Sequence, residues 1–274
     1  MWNRARNFIS TINMLVWKNI KLGLSYRFNL LLQIVWLVGL TFGFYFLSKT
    51  FEAYIPPMLR DYGGYFPFVL IGYSFVGLQG AGLGAPSSSI RDEQVQGTLE
   101  LLLANGASPL AIATSGAITS YLRTILNAVV LILIGLALIG GGVALGGFAG
   151  ALIVLILSSL AYFGLGLMGC GFILTFKRGN PVLMAYSGLA YLVSGVYFPY
   201  HILPVPLQIV AKAIPLTYTL DGLRKSLLLG LPVGDIWFEI VVLAGMVVVF
   251  LPLGFLSLRL STVRAKRDAS LTQY

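Results

Sequence analysis

Gln94–Pro109, QVQGTLELLLANGASP, separates two long apolar segments, and its reading decides how the whole chain is arranged. Thr98 stands where a hydroxyl can cap a helix by accepting a backbone N–H bond, and Glu100 puts negative charge into the electropositive first turn. Leu99, Leu101, Leu102 and Leu103 make the body apolar, and Asn105-Gly106 is a left-handed stop. Ser108-Pro109 reads as the cap and first residue of the next helix. The stretch is therefore a helix of about two turns between two spans. It is either a capped membrane turn or a surface offered to a partner protein.

Working outward, 58% of the chain is hydrophobic and only 10% charged, with a mean hydropathy of +0.89. Soluble domains carry about 25% charged residues, so this is an all-α integral membrane protein. Spans of about 20 residues each consume nearly all of its 274 residues and leave no room for a soluble catalytic domain. The net charge of +9 is distributed as membrane flanks rather than as a nucleic-acid footprint. Arg4, Arg6, Lys18, Lys21 and Arg27 precede the first span, and Arg259, Arg264, Lys266 and Arg267 follow the last. With Arg91, Lys177 and Arg178 they mark one face as cytoplasmic and place both termini there. Lys49, Arg60, Lys212, Arg224 and Lys225 fall on the other side. Cys170 is the only cysteine, so an intrachain disulfide is excluded and its place in a Gly-rich helix reads as packing. Trp2–Arg27 lacks the compact apolar core of a secretory signal.

The chain reads as one domain, 1–274, with six spans: 28–47, 65–89, 109–139, 151–176, 182–200 and 235–258. Residues 4–24 form an amphipathic helix suited to the cytoplasmic membrane surface, or else the cytoplasmic start of the first span. Gly80-xxx-Gly84 and Ala81-xxx-Ala85 suggest close helix approach in span 2, and Pro86 with Ser87–Ser89 predicts a bend. Span 3 is about 46 Å long against a hydrocarbon core of about 30 Å, so its first turns stand in the cytoplasm. Arg123 and Asn127 then fall in the inner part of the bilayer, with Arg123 expected to snorkel to the interface or to pair within the bundle. Between spans 5 and 6, residues 201–234 are too Pro-broken to span. They divide into two short helices, Val205–Ala213 and Tyr218–Gly230, that dip into the outer leaflet against protein. Asp221 and Arg224 are spaced to pair on one face of the second helix.

The chain has no phosphate-loop motif and no H-E-x-x-H, and one histidine with one cysteine cannot build a usual zinc site. None of the nine acidic residues falls in the middle of a span, whereas ion-coupled transporters usually need intramembrane carboxylates. Energy is therefore expected from outside the bundle.

Glu93, Gly97, Thr98, Leu99 and Glu100, followed by Leu101-Leu102-Leu103, resemble the E-x-x-x-G-T-L-E-x-L-L segment of ABC-2 type transporter permeases. Ser194-Gly-Val-Tyr-Phe198-Pro199, Leu203-Pro204, Pro215-Leu-Thr-Tyr218 and Asp221-Gly-Leu-Arg224 are similar to that family's second signature, in the same order and between the matching spans. The resemblance covers nearly the whole chain. It implies that residues 97–105 are a coupling helix docking into a separate ATPase subunit, with ATP and Mg on that partner. Glu93, Gly97, Thr98, Leu99, Glu100, Leu101 and Leu102 would carry the coupling. Phe198, Pro199, Pro204, Pro215, Tyr218, Asp221 and Arg224 would belong to an external re-entrant pair near the exit. A second permease copy or a paralogue would complete the path through the membrane lipid.

The motifs name the machine and leave its cargo open. Phe42, Tyr45, Tyr186, Tyr191 and Tyr197 suit a hydrophobic or amphiphilic, drug- or lipid-like substrate, and such rings could equally stack along a polysaccharide or glycan-lipid. Most of them also fit an ordinary interfacial belt or core packing. A self-sufficient channel or secondary transporter is opposed by the missing membrane carboxylates. A membrane-embedded enzyme is opposed by the lack of a clustered nucleophile, acid and base.

Overall fold

The computed structural model describes residues 2–50, 56–139, 145–176 and 181–267, and the regular elements among them are all helical. α1 (Trp2–Ser25) and α2 (Arg27–Thr50) meet at Tyr26. The short α3 (Pro57–Arg60) leads into α4 (Tyr65–Leu83), which continues beyond Gly84 as α5 (Ala85–Val95). Then come α6 (Leu99–Ala104), α7 (Pro109–Ile139) and α8 (Phe148–Phe176). α9 (Pro181–Val193), α10 (Val205–Lys212), α11 (Pro215–Leu227) and α12 (Trp237–Arg267) complete the bundle. By length and composition α2, α4, α7, α8 and α12 can each cross a membrane. The Gly-rich and Lys177–Asn180 turns lie largely outside the described residues.

The expected helical span at 182–200 is corrected. α9 stops at Val193 after 13 residues, about 20 Å, short of a hydrocarbon core of about 30 Å. Gly195 adopts φ +84°, a conformation that ends a helix, and Pro199 lacks an N–H with which to resume one. The chain nevertheless runs alongside α4. Gln79 Nε2 donates to the Ser187 carbonyl at 3.3 Å, and Arg224 bridges the Gly195 and Phe68 carbonyls one end further along. A short helix and an irregular segment thus occupy the residues that the sequence assigned to one helix.

Span 2 is divided at Gly84, which keeps helical angles and bonds back to the Gly80 carbonyl, and Pro86 sits in the first turn of α5, where its missing N–H costs nothing. The close approach is made elsewhere than the Gly80/Gly84 motif suggested, because a Cβ on Gly80 would meet nothing within 4 Å. Gly82 is the tight point, with a virtual Cβ only 2.4 Å from Tyr162 Cβ on α8. Of the two small pairs, Gly80 faces no neighbour within the chain, whereas Ala81 is buried beside the tight point at Gly82.

Three buried clusters organise the interior, the smallest of them Leu37, Phe66, Leu70 and Leu131 between α2, α4 and α7. One, around Ile71, Leu78, Val154, Tyr162, Leu220 and Leu243, joins α4, α8, α11 and α12. A second, at the opposite end, joins Leu15 of α1, Ile90 of α5, Leu99 of α6, Ile112 of α7 and Leu174 of α8. Cys170 is fully buried in this second cluster, consistent with packing. α1 offers Leu15 to the core while Met14 and Trp17 remain exposed, as an amphipathic helix on a membrane face would. Arg123 of α7 donates to Gln33 Oε1 of α2, and Gln33 Nε2 donates to Asn127 Oδ1 at 2.8 Å. Arg123 is thus tied to the neighbouring helix and does not extend freely to the interface.

Candidate coupling surface and external anchor

α6 is held between two turns of the same kind. At the end of α5, Gly97 takes φ +68°, its N–H bonds to the Gln94 carbonyl and the Thr98 N–H reaches back to Glu93. At the end of α6, Gly106 takes φ +85°, its N–H bonds to Leu103 and the Ala107 N–H reaches Leu102. Both are Schellman closures, which need a left-handed residue and are filled by glycine at little cost. Ser108 Oγ then accepts the Ala111 N–H at 3.1 Å and starts α7, as the sequence predicts. Two of the sixteen residues quoted at the outset therefore set the backbone path of the rest.

The predicted Thr98 cap is corrected. Thr98 has helical backbone angles and makes no side-chain capping bond; its hydroxyl donates to the carboxylate of Glu93. That carboxylate also receives the ammonium of Lys18 from α1. Glu93 is only 7% exposed, so its charge is spent on holding α1, α5 and the start of α6 together. The six-residue helix then divides by face. Leu99 is 3% exposed and seated among Ile90, Ile112 and Leu174, whereas Leu101 is 64% exposed. Leu102 and Leu103 are half-buried, and Glu100, Ala104 and Asn105 face outward with Gly97 and Val95. Of the predicted coupling residues, Gly97, Glu100 and Leu101 form an exposed surface. Glu93, Thr98 and Leu99 support it from behind.

At the other end of the bundle Arg224 is the centre. It is fully buried, with its guanidinium 3.5 Å above the Phe68 ring. Nε donates to the Phe68 carbonyl at 3.1 Å, and Nη2 to those of Gly195 and Val196 at 2.8 and 3.2 Å. Non-helical carbonyls at membrane depth need such donors. The expected pairing of Asp221 with Arg224 is not made, because the fork is occupied by backbone. Burial lowers the Arg224 pKa to about 10 against the opposing pull of Asp221, which leaves it charged at neutral pH. Desolvation raises the Asp221 pKa, with Arg224 and Lys225 acting against it. Lys225 instead bonds Glu239 of α12 at 2.6 Å. Burial opposes the Lys225 charge, but that bond outweighs it and raises the pKa.

The other members of the predicted external set are structural neighbours of this anchor. Pro204 and Pro215 stand at the starts of α10 and α11. Tyr218 Oη donates to the Lys212 carbonyl at 3.0 Å and closes one helix on the other. Phe198 and Pro199 line a 610 Å³ cavity with Tyr45, Pro56, Tyr65 and Ile202. Sequence reasoning missed Gly72, where a Cβ would fall 2.4 Å from the Val196 carbonyl oxygen and 2.6 Å from the Arg224 guanidinium. Only its small size admits that contact, and nothing local in YFPFVLIGYSF reveals it.

Of the five aromatic residues suggested for a substrate path, Tyr186, Tyr191 and Tyr197 pack against the same large buried cluster, Tyr197 also lying 6.3 Å from Phe44. Phe42 stacks on Phe46, and Tyr45 packs edge-on to Phe66 at 5.5 Å. Buried polar atoms without partners include Gln79 Oε1 on α4 and Tyr186 Oη on α9.

The family model for the ABC-2 type transporter matches residues 10–228. The match begins within α1 and ends just past α11, so it contains both the α6 surface and the Arg224 anchor. No curated protein matches the chain at significant similarity.

Proposed function

We propose, because the chain belongs to the ABC-2 type transporter family, that it is the permease subunit of an ATP-driven exporter whose α6 docks into a separate ATPase chain. The observation that carries this reading is the exposed Gly97–Glu100–Leu101 surface, set on a backbone closed by two glycine turns and bound to α1 through Glu93. A merely connecting turn would have no need of an exposed leucine on so fixed a base. The partner binds ATP and Mg, and its closure on nucleotide moves α6. Because α6 leads through a two-bond turn and the Ser108 cap into the 31-residue α7, that displacement is passed to the bundle as a rigid-body motion. ATP must favour one arrangement over the other for this to do work. A second permease, identical or paralogous, supplies the other wall of the path across the cell membrane, with α1, α6 and both termini on the cytoplasmic side.

The proposed cargo is hydrophobic or amphiphilic, drug- or lipid-like, on the strength of the uncharged, aromatic-bearing spans. Polysaccharide or glycan-lipid export is the second reading, because exposed rings such as Phe42 can stack on sugars. Reconstitution with the ATPase, presenting drugs, lipids and glycan-lipids in turn, separates these. Leu101→Asp and Glu100→Lys test the docking. Stimulated ATP hydrolysis should fall by about thirtyfold, as for an interface hot spot of about 2 kcal/mol. Membrane insertion should be unchanged. If both variants retain full coupling, the docking assignment is wrong.

A further inference from the structure

A groove of about 840 Å³ runs along one face of α2, lined by Asn29, Leu32, Gln33, Trp36 and Gly39 and reached by Arg123 of α7. Its chemistry is graded. Asn29, Gln33 and Arg123 gather at the end nearest α1, with Leu32 between them, and the apolar Val35, Trp36 and Leu40 follow toward the middle of the membrane. From Asn29 to Leu40 the groove extends about 16 Å, close to half of a hydrocarbon core of about 30 Å. Arg123 lies about 24 Å from the far end of α7, which puts it just inside the boundary of the leaflet on the α1 side. Among the described residues no carboxylate pairs with Arg123; its partner is the neutral Gln33. A lone cation at that depth is costly unless an anion meets it.

A second, polar cavity of 350 Å³ on the other side of Arg123 is lined by Lys18, Ser89 and Ser115 and also by two carboxylates, Asp92 and Glu93, of which Glu93 is held by Lys18, so an anion is favoured on the α2 side alone. One guanidinium therefore stands at the polar mouth of an apolar channel one leaflet long. We propose that this α2 groove binds a phosphate-bearing anionic lipid of the α1-side leaflet, with its phosphate at Arg123 and one acyl chain along α2. The grading, the length and the unpaired charge each match that ligand, and the site does not depend on what is transported. A sugar would leave Leu32, Trp36 and Leu40 unmatched, and a neutral lipid would leave Arg123 without an anion.

Trp36, which is exposed in the groove, can report occupancy. With Trp2→Phe, Trp17→Phe and Trp237→Phe introduced, the full-length chain is placed in phosphatidylcholine vesicles containing bromine-labelled phosphatidylglycerol or bromine-labelled phosphatidylcholine. Quenching of Trp36 should favour phosphatidylglycerol about fivefold, the scale of one cation acting on an acidic lipid. Arg123→Gln should abolish the preference, and Arg123→Lys, which keeps the charge, should retain most of it. Gly39 has open space at its Cβ position, so Gly39→Leu should fill the groove without disturbing the fold and reduce quenching by both lipids. Equal quenching by the two lipids, or a preference that survives Arg123→Gln, overturns the proposal. So does the absence of quenching by either lipid, the result expected if a second copy of the chain covers the groove.

Discussion

Glu93 and Arg224 are buried charges whose value lies in position, and each can be tested by substitution. Arg224→Ala strands the two non-helical carbonyls of Gly195 and Val196, each costing about 1–3 kcal/mol when left buried without a donor. It should destabilise the protein by about 2 kcal/mol or more, and Arg224→Lys should restore little because an ammonium cannot reproduce the fork. Cys170, the only cysteine and fully buried, supplies the measurement: its reaction with a thiol dye on heating in detergent marks unfolding. Glu93→Gln keeps the shape but removes the Lys18 ion pair, which is half-exposed on the lysine side and worth about 1 kcal/mol. Coupling to the ATPase should fall about fivefold while the melting point stays nearly constant. At this scale legibility depended on sequence distance. Glu93, Thr98 and Glu100 stand within one short run and were identified together, although Thr98 serves Glu93 and not the helix cap. Gly72 serves Arg224 and Val196, residues far along the chain, so its pattern carried no mark of the role.

Among the elements, α7 was readable to the residue because both of its determinants are local: Ser108-Pro109 begins it and glycines follow Ile139. α9 was not, because Tyr191–Pro199 has the hydropathy of a span. Its early end depends on a guanidinium from α11 that makes irregular carbonyls tolerable. The helix pair after it was legible as two Pro-bounded segments, and α10 and α11 fall within a few residues of those bounds. α11 also predicts a pH response. Its Asp221 has a raised folded-state pKa, so the native chain takes up that proton more readily than the unfolded one. The contribution is fully present below the unfolded value of about 3.9 and is lost as pH rises through the higher folded value. Asp221→Asn should therefore flatten the acid-to-neutral decline in melting temperature relative to the parent. An identical pH profile for the two proteins would exclude Asp221 as its source.

For the molecule as a whole, the charge distribution makes an orientation that labelling can check. In a Cys170→Ala chain, Glu100→Cys should react with an impermeant maleimide only from the cytoplasmic side, and Ile202→Cys only from outside; both positions are exposed. Reaction of both from the same side would refute the arrangement. The membrane bundle was legible because hydropathy is additive along a sequence. The grouping of the aromatic residues was not, because Tyr186, Tyr191 and Tyr197 gather on one buried cluster while Phe42 and Tyr45 pack on other rings, a division set by helix assembly. The two left-handed glycines around α6 have a further consequence. Backbone bonds close both turns, Asn105 Nδ2 adds one bond to the Leu101 carbonyl, and Leu99 is the deeply buried anchor, so the side chains of Glu100 and Leu101 owe little to the fold. Those two can then be rewritten together, like the pins of a plug, and the same membrane body given to a different motor.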